Sequence, residues 1–211
     1  MWYYDRQGII QVGGLNFVQD LPRFLVLLYA LQRFNLSDWG RNEAFTLHES
    51  AEKNTIKEHT IVLKQEEESF TFTLNSSSGK RVKHLAMKGR ATDVMEVSCD
   101  ELRNKLGPIA DSMVVKLYWG EEARLSEVTI LEEVMKVNSE DVKGHVPYLL
   151  FSYKFPISTS SVRKALGFDE TASGKGSRKL LFLVFPKLWP IKELKRDELY
   201  NAWCQCVLCK S

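Results

Sequence analysis

At 211 residues, with 44% hydrophobic, 27% charged and 11% aromatic side chains, the chain has ordinary globular composition, which excludes collagen-like, low-complexity and wholly disordered readings. Its 29 Lys and Arg against 27 Asp and Glu leave a formal charge of +2, so no global basic field points to nucleic acid. The length suits one large domain or two small ones, but it is short for an enzyme whose site lies between two lobes.

The first ten residues show no basic segment leading into an apolar one, so no secretory signal is read. The most apolar stretch, Leu21–Leu31, is too short to span a bilayer and carries Arg23. Cysteines stand at 99, 204, 206 and 209. Three of them crowd one end, which is not a spaced disulfide framework. The expectation is an intracellular protein, in cytosol or nucleus, with no membrane and no nucleic-acid partner.

In chain order, Trp2–Tyr4 and Gly8–Val12 are strand-like, with Asp5 and Arg6 between them as a local ion pair. Asp20 and Pro22 open a helix as N-cap and first-turn proline. Phe24, Leu27, Leu28, Leu31 and Phe34 recur at three- and four-residue steps, predicting a buried face. Ile56–Lys64 and Ser69–Leu74 alternate as strands around Glu66–Glu68 and read as a hairpin. Asn75–Lys80 is a Ser- and Gly-rich linker, and a boundary is placed there. Residues 1–80 then form an N-terminal portion and residues 81–211 a second one.

Beyond the linker, Val82–Met87 and Val94–Val97 are short strands around Gly89. Met113–Trp119 is an apolar strand holding Lys116. Leu125–Val137 is a helix with Leu125, Val128, Leu131 and Val134 on one face. Tyr148–Phe155 and Leu180–Phe185 are strands, with a loop-rich insert at Pro156–Lys179. Asp197–Leu208 is helical. The fold class is α+β.

Chemistry concentrates around Lys116. An ammonium in an apolar strand must either reach water or find a partner. Glu127, eleven residues on and four before Leu131 in the following helical pattern, is the chosen partner, with Glu132 or Glu133 as alternatives. Ahead of the lysine strand, Gly89-Arg90-Ala91-Thr92-Asp93-Val94 is a turn with one glycine. Cys204, Cys206 and Cys209 have thiolate-ligand spacing but no fourth ligand nearby, so they read as reduced cysteines and no metal site is assigned. Residues 171–211 carry eight basic side chains against three acidic. Among them Lys175, Arg178 and Lys179 read as a solvated loop.

This order resembles a protein-kinase N-terminal lobe: glycine-containing hairpin, lysine strand, helix with a glutamate, two strands, hinge, helix. More specifically, the chain resembles the fungal-type protein kinase family. The resemblance is carried by Trp2–Phe34, Asp38–Gly40, Gly89–Thr92, Val114–Trp119, Arg124–Leu131, Asp141–Pro147, Ser161–Leu166, Gly176–Arg178 and Leu183–Leu194. It implies an N-lobe-like antiparallel sheet with one packed helix, preceded by a strand, helix and hairpin portion.

The resemblance also implies ATP and Mg2+ as cofactors and phosphoryl transfer to protein Ser or Thr in complete members. Lys116 would contact the phosphates and Glu127 would orient it. Gly89, Arg90, Ala91, Thr92 and Val94 would cover the nucleotide, Val184 or Phe185 would line the adenine pocket, and Pro186–Leu188 would serve as hinge. The sequence has no His-Arg-Asp and no Asp-Phe-Gly. On this reading the second lobe is missing, and the chain is a truncated member without transferase activity of its own. The alternative is a non-catalytic, pseudokinase-like interaction module that meets a protein partner through the exposed lobe surface.

Overall fold

The computed structural model describes residues 2–11, 13–14, 16, 18–39, 41–46, 58–75, 90–137, 146–165, 167, 176–188 and 193–208. The linker at 76–80, the strand expected at Val82–Met87, and Gly89 lie outside the described residues.

A small hairpin, β1 (Trp2–Tyr4) with β2 (Ile9–Gln11), opens the chain and is followed by α1 (Leu21–Gln32). Seven strands then form one antiparallel sheet: β3 (Phe45–Thr46), β4 (Thr60–Gln65), β5 (Glu68–Leu74), β6 (Asp93–Ser98), β7 (Met113–Glu121), β8 (Phe151–Ser158) and β9 (Arg178–Pro186). Their order in space is β3-β4-β5-β6-β7-β9-β8. Four more helices are α2 (Asp100–Leu106), α3 (Glu127–Lys136), α4 (Thr159–Ala165) and α5 (Arg196–Leu208). The architecture is the expected α+β one, with a lysine strand at mid-sheet and a helix packed against it.

Register divides the sheet cleanly into two faces. Met95, Val115, Val184 and Phe151 lie opposite one another across β6, β7, β9 and β8, so all four point the same way. This face holds the main core, which also takes Ile61, Leu63, Phe70 and Phe72 from the β4–β5 hairpin and Leu102 from α2. The Phe72 ring lies 4.9 Å from Phe182 and 5.1 Å from Phe151. Strands three and four places apart in a flat sheet would sit roughly 14 and 19 Å apart, so the sheet curls around this core. The opposite face of β7 and β9 carries Tyr118, Leu181, Leu183 and Phe185, which pack with Leu131 of α3. Burial on both faces explains why β9 reads as an unbroken apolar run rather than an alternation.

Several expectations change. The sheet continues across the expected boundary: Leu74 of β5 pairs with Val97 of β6, so the hairpin of the first portion shares its core with the second. The face expected to be buried on α1 is not. Leu28 is 38% and Phe34 40% exposed, and Phe24, Leu27 and Leu31 are only half-buried. Periodicity shows that a helix can bury a face, but not that a neighbour arrives to cover it. Asp20 precedes α1 without capping it; its carboxylate instead accepts from the Asn16 N–H at 3.1 Å.

The Ser-Thr-Ser-Ser stretch inside the expected loop instead starts α4. Ser158 accepts from the Ser161 N–H, and Ser161 accepts from the Ser158 N–H, each at 3.1 Å. This reciprocal cap satisfies groups that a helix start leaves open. The Asp5 carboxylate, expected to pair with Arg6, makes two bonds to Arg163 of α4 at 2.7 and 2.8 Å. Beside it, Gln7 accepts from the Thr159 hydroxyl at 2.9 Å, and that hydroxyl accepts from the Arg178 N–H at 3.0 Å. The N-terminal hairpin is thus fastened to the start of α4 and of β9.

Candidate functional site

Lys116 sits at the centre of β7, opposite Val94 on β6 and Leu183 on β9. Its side chain rises from the face that α3 covers. Ser126 caps that helix by accepting from the Thr129 N–H at 3.1 Å, which makes Glu127 the first helical residue. A carboxylate there also faces the positive end of the helix dipole. The Lys116 ammonium donates to both oxygens of Glu127, at 2.7 and 2.6 Å. Each of these side chains keeps about a third of its surface exposed, 31% and 34%, so the pair is held but reachable. Glu132 and Glu133 lie further along α3 with exposed side chains, and it is Glu127 that meets the lysine.

Tyr118, two residues after Lys116 and on the same face, was not read from sequence. Its ring centre lies 5.1 Å from the Lys116 ammonium. Burial first, then the negative charge of the nearby Glu127, push the phenol up to about 12, against a smaller opposing pull from Arg90. The available signal was strand alternation: whatever Lys116 faces, the residue two places on faces too.

The turn that leads into β6 is described from Arg90 on. The Arg90 carbonyl accepts from the Trp119 N–H at 2.7 Å, pinning the turn to β7. Ala91 adopts φ +43°, the left-handed region that glycine enters freely and other residues enter at a cost. Replacing Ala91 with Gly is expected to stabilise the protein by roughly 0.5–1 kcal/mol, seen as a higher urea midpoint at unchanged slope. Thr92 is half-buried before β6, and Val94 is 56% exposed.

The structure separates the two residues expected to line an adenine pocket. Phe185, opposite Val114, shares the Lys116 face, whereas Val184 points into the main core and is fully buried. Adjacent residues of a strand cannot both line one site. Beyond Phe185, the Lys187 N–H donates to the Ser112 carbonyl at 2.8 Å and its ammonium meets Glu96 at 2.8 Å. The segment after β9 is thereby tied to the edge of the same face.

The basic residues that sequence left in a loop are instead engaged. Lys179 pairs with Glu122 at 2.9 Å, and the Arg178 guanidinium donates to the Trp119 carbonyl at 3.2 Å; Lys175 lies outside the described residues. Burial alone would raise the Glu122 carboxyl, but hydrogen bonds from Ser177 and Lys179 and the lysine charge hold it below its ordinary value. A cavity of about 260 Å³ opens here, between Tyr118, Glu127, Arg90 and Lys179. Cys99, which precedes α2, is buried, and burial drives its thiol up to about 12, so it is not a reactive thiolate.

Among the described residues no helix is long and apolar enough to cross a membrane, and no group of three or more His, Cys, Asp or Glu is placed to hold a metal ion. No curated protein and no solved structure matches the chain. A family model described as fungal protein kinase matches residues 1–196. That match spans most of the sequence, including the lysine strand, the glutamate helix and the N-terminal hairpin fastened to α4, and the chain belongs to the fungal protein kinase family.

Proposed function

We propose that the Lys116 face of the sheet binds Mg·ATP, and that this 211-residue chain holds the nucleotide without transferring its phosphate. The observation that carries the reading is the two-pronged bond between Lys116 and Glu127. Phosphoryl transfer needs charge on the phosphates to be held and neutralised, and a lysine oriented by a glutamate supplies that. The donor set suits a nucleotide: one reachable ammonium for phosphate oxygens, beside an apolar strip of Val94, Val114 and Phe185 for a base. Arg90, Ala91 and Thr92, together with Gly89, would cover the phosphates, and backbone groups after Pro186 would pair with the adenine edge. Mg2+ would arrive on the phosphates. When bound, the nucleotide supplies the transferable phosphoryl group.

For the family the expected reaction is transfer to protein Ser or Thr hydroxyls. This chain has neither His-Arg-Asp nor Asp-Phe-Gly, the sources of the base and of the metal-binding aspartate. Residues 81–211 carry the nucleotide face, and residues 1–80 complete the sheet and core behind it. The expected result is a rise in melting temperature with Mg·ATP. At ten times Kd it corresponds to about 1.4 kcal/mol, or roughly 3–5 °C. Lys116→Met should abolish the shift while leaving the unliganded melting temperature nearly unchanged. An equal shift in that variant would exclude this face. Phosphate transfer by the purified chain, lost in Lys116→Met, would overturn the non-transferring reading.

A second reading, an interaction module without nucleotide, is favoured by α1, where Leu25, Val26 and Tyr29 are 54%, 68% and 60% exposed. Apolar surface of that extent tends to recruit a partner. Absence of any nucleotide shift, together with self-association in light scattering, would favour it.

A further inference from the structure

We propose that α1 of one copy docks in the groove between α2 and α3 of a second copy, so that the protein pairs with itself through two such contacts. The inference does not depend on nucleotide binding. It assigns the exposed face of α1 to one partner, a second copy of this chain. No residue of α1 is buried. Phe24, Leu27 and Leu31 form one half-buried stripe. Leu21, Leu25, Leu28 and Tyr29 form a second, and these are 43%, 54%, 38% and 60% exposed. Positions i, i+4, i+7 and i+8 lie on one side of a helix, the spacing of a helix that inserts into a groove. A helix that is apolar around most of its circumference gains by being covered.

The same chain carries a groove of matching character. A cavity of about 730 Å³ opens between α2 and α3, and residues 148–152, which lead into β8, also line it. Its apolar lining is Phe70, Leu102, Leu106, Leu131, Met135 and Tyr148. Met135 and Tyr148 are 46% and 45% exposed, although they border a core. A three-turn helix is about 18 Å long, so the groove receives the side chains of one stripe and leaves the helix backbone at its mouth.

Charge selects between the possible pairings. From Leu21 to Arg33 the helix segment has two basic residues, Arg23 and Arg33, and no acidic one. Arg23 lies 3.9 Å from Asp20. Among the described residues Arg33 has no ion pair; it donates to the Tyr29 hydroxyl at 2.6 Å and sits over that ring. The groove is lined by Glu66, Glu68 and Glu132 against Lys105 and Lys136, and Lys105 is taken by Glu68 at 2.9 Å. Exposed Glu67 and Glu133 adjoin it in sequence. Carboxylates are therefore in excess around the groove, and guanidinium groups are the only charges on the helix. Two α1 helices side by side would bring like charges together, which favours helix in groove over helix on helix. Each copy has one helix and one groove, so a two-fold pair makes the contact twice. A stable interface of about 1,600 Å² then needs only about 800 Å² from each contact, counting both sides.

The test is sedimentation of the whole chain from about 1 to 100 µM, where a monomer–dimer equilibrium is expected. Leu25→Asp on the helix and Met135→Glu in the groove should each give a monomer. Both side chains are exposed within one copy, so circular dichroism should stay unchanged. Mixed together, the two variants should form a dimer again, about tenfold weaker or more, through the intact helix of one and the intact groove of the other. Pairing of α1 with α1 predicts no such recovery. Arg33→Glu should weaken the parent dimer about tenfold at low salt and less at high salt. A chain that stays monomeric at about 100 µM, a dimer untouched by Leu25→Asp, or a mixture without recovery would overturn the proposal. The melting shift with Mg·ATP reports on the Lys116 face alone, so the nucleotide reading and this one fail separately.

Discussion

Phe182→Ala is expected to cost about 3–5 kcal/mol, the range for emptying a fully buried aromatic site. Phe182 is at 0% exposure in the middle of β9, flanked by β7 on one side and β8 on the other. Its ring meets Phe72 at 4.9 Å and Phe151 at 6.3 Å, edge-on in the second case. Phe72 comes from β5, the third strand in the sheet, and Phe151 from the β8 edge, so one ring joins strands four places apart in the curled sheet. Truncation leaves a void that strands hydrogen-bonded on both sides cannot close. A domain of this kind is stable by roughly 5–15 kcal/mol, so the variant should unfold at markedly lower urea. Phe182→Leu keeps most of the volume and should cost about 1–2 kcal/mol. Equal losses in the two variants would mean that the void is not what destabilises.

Arg163→Ala is expected to cost about 2–4 kcal/mol, because it strands a buried carboxylate. The Arg163 and Asp5 side chains are only 12% and 9% exposed, and they join positions 158 residues apart in sequence. Burial by itself would raise the Asp5 carboxyl. Hydrogen bonds from Arg163 and from the Gly8 and Gln7 N–H groups, with the Arg163 charge, outweigh it and hold the carboxyl below its ordinary value. The sign of the pH dependence follows. A carboxyl depressed in the folded state contributes its full stability above the unfolded value near 3.9, and loses it as pH falls through the lower folded value. Urea midpoints from pH 7 down to pH 3 should therefore fall more steeply for the parent protein than for Asp5→Asn. Superimposable profiles would show that the pair adds nothing. The N-terminal hairpin is thus held to α4 by an ion pair and hydrogen bonds.

Much of the second portion was legible because its elements are buried in ways that leave local patterns. Met113–Trp119 and Leu180–Phe185 are apolar runs because β7 and β9 are covered on both faces. Lys116 and Glu127 stood out as a strand lysine and a glutamate in the helix that follows, and the structure brings them into contact. What stayed hidden was short or relational. Asp100–Leu106 is too brief to show a helical period. Ser158–Ser161 looked like a loop because hydroxyls that cap helices also populate turns.

Local pattern therefore determined which segments become strands or helices, and which charged groups sit among apolar ones. Those properties depend on neighbours within a few residues along the chain. Only the tertiary structure decided which face each side chain joins and what it meets there. It assigned Phe185 to the lysine face and Val184 to the core, the Tyr118 ring to the Lys116 ammonium, Asp5 to Arg163, and left the apolar residues of α1 exposed. The physical reason is register: sliding a strand by one residue exchanges its two faces, and the contacts that set register are made by residues far apart in sequence.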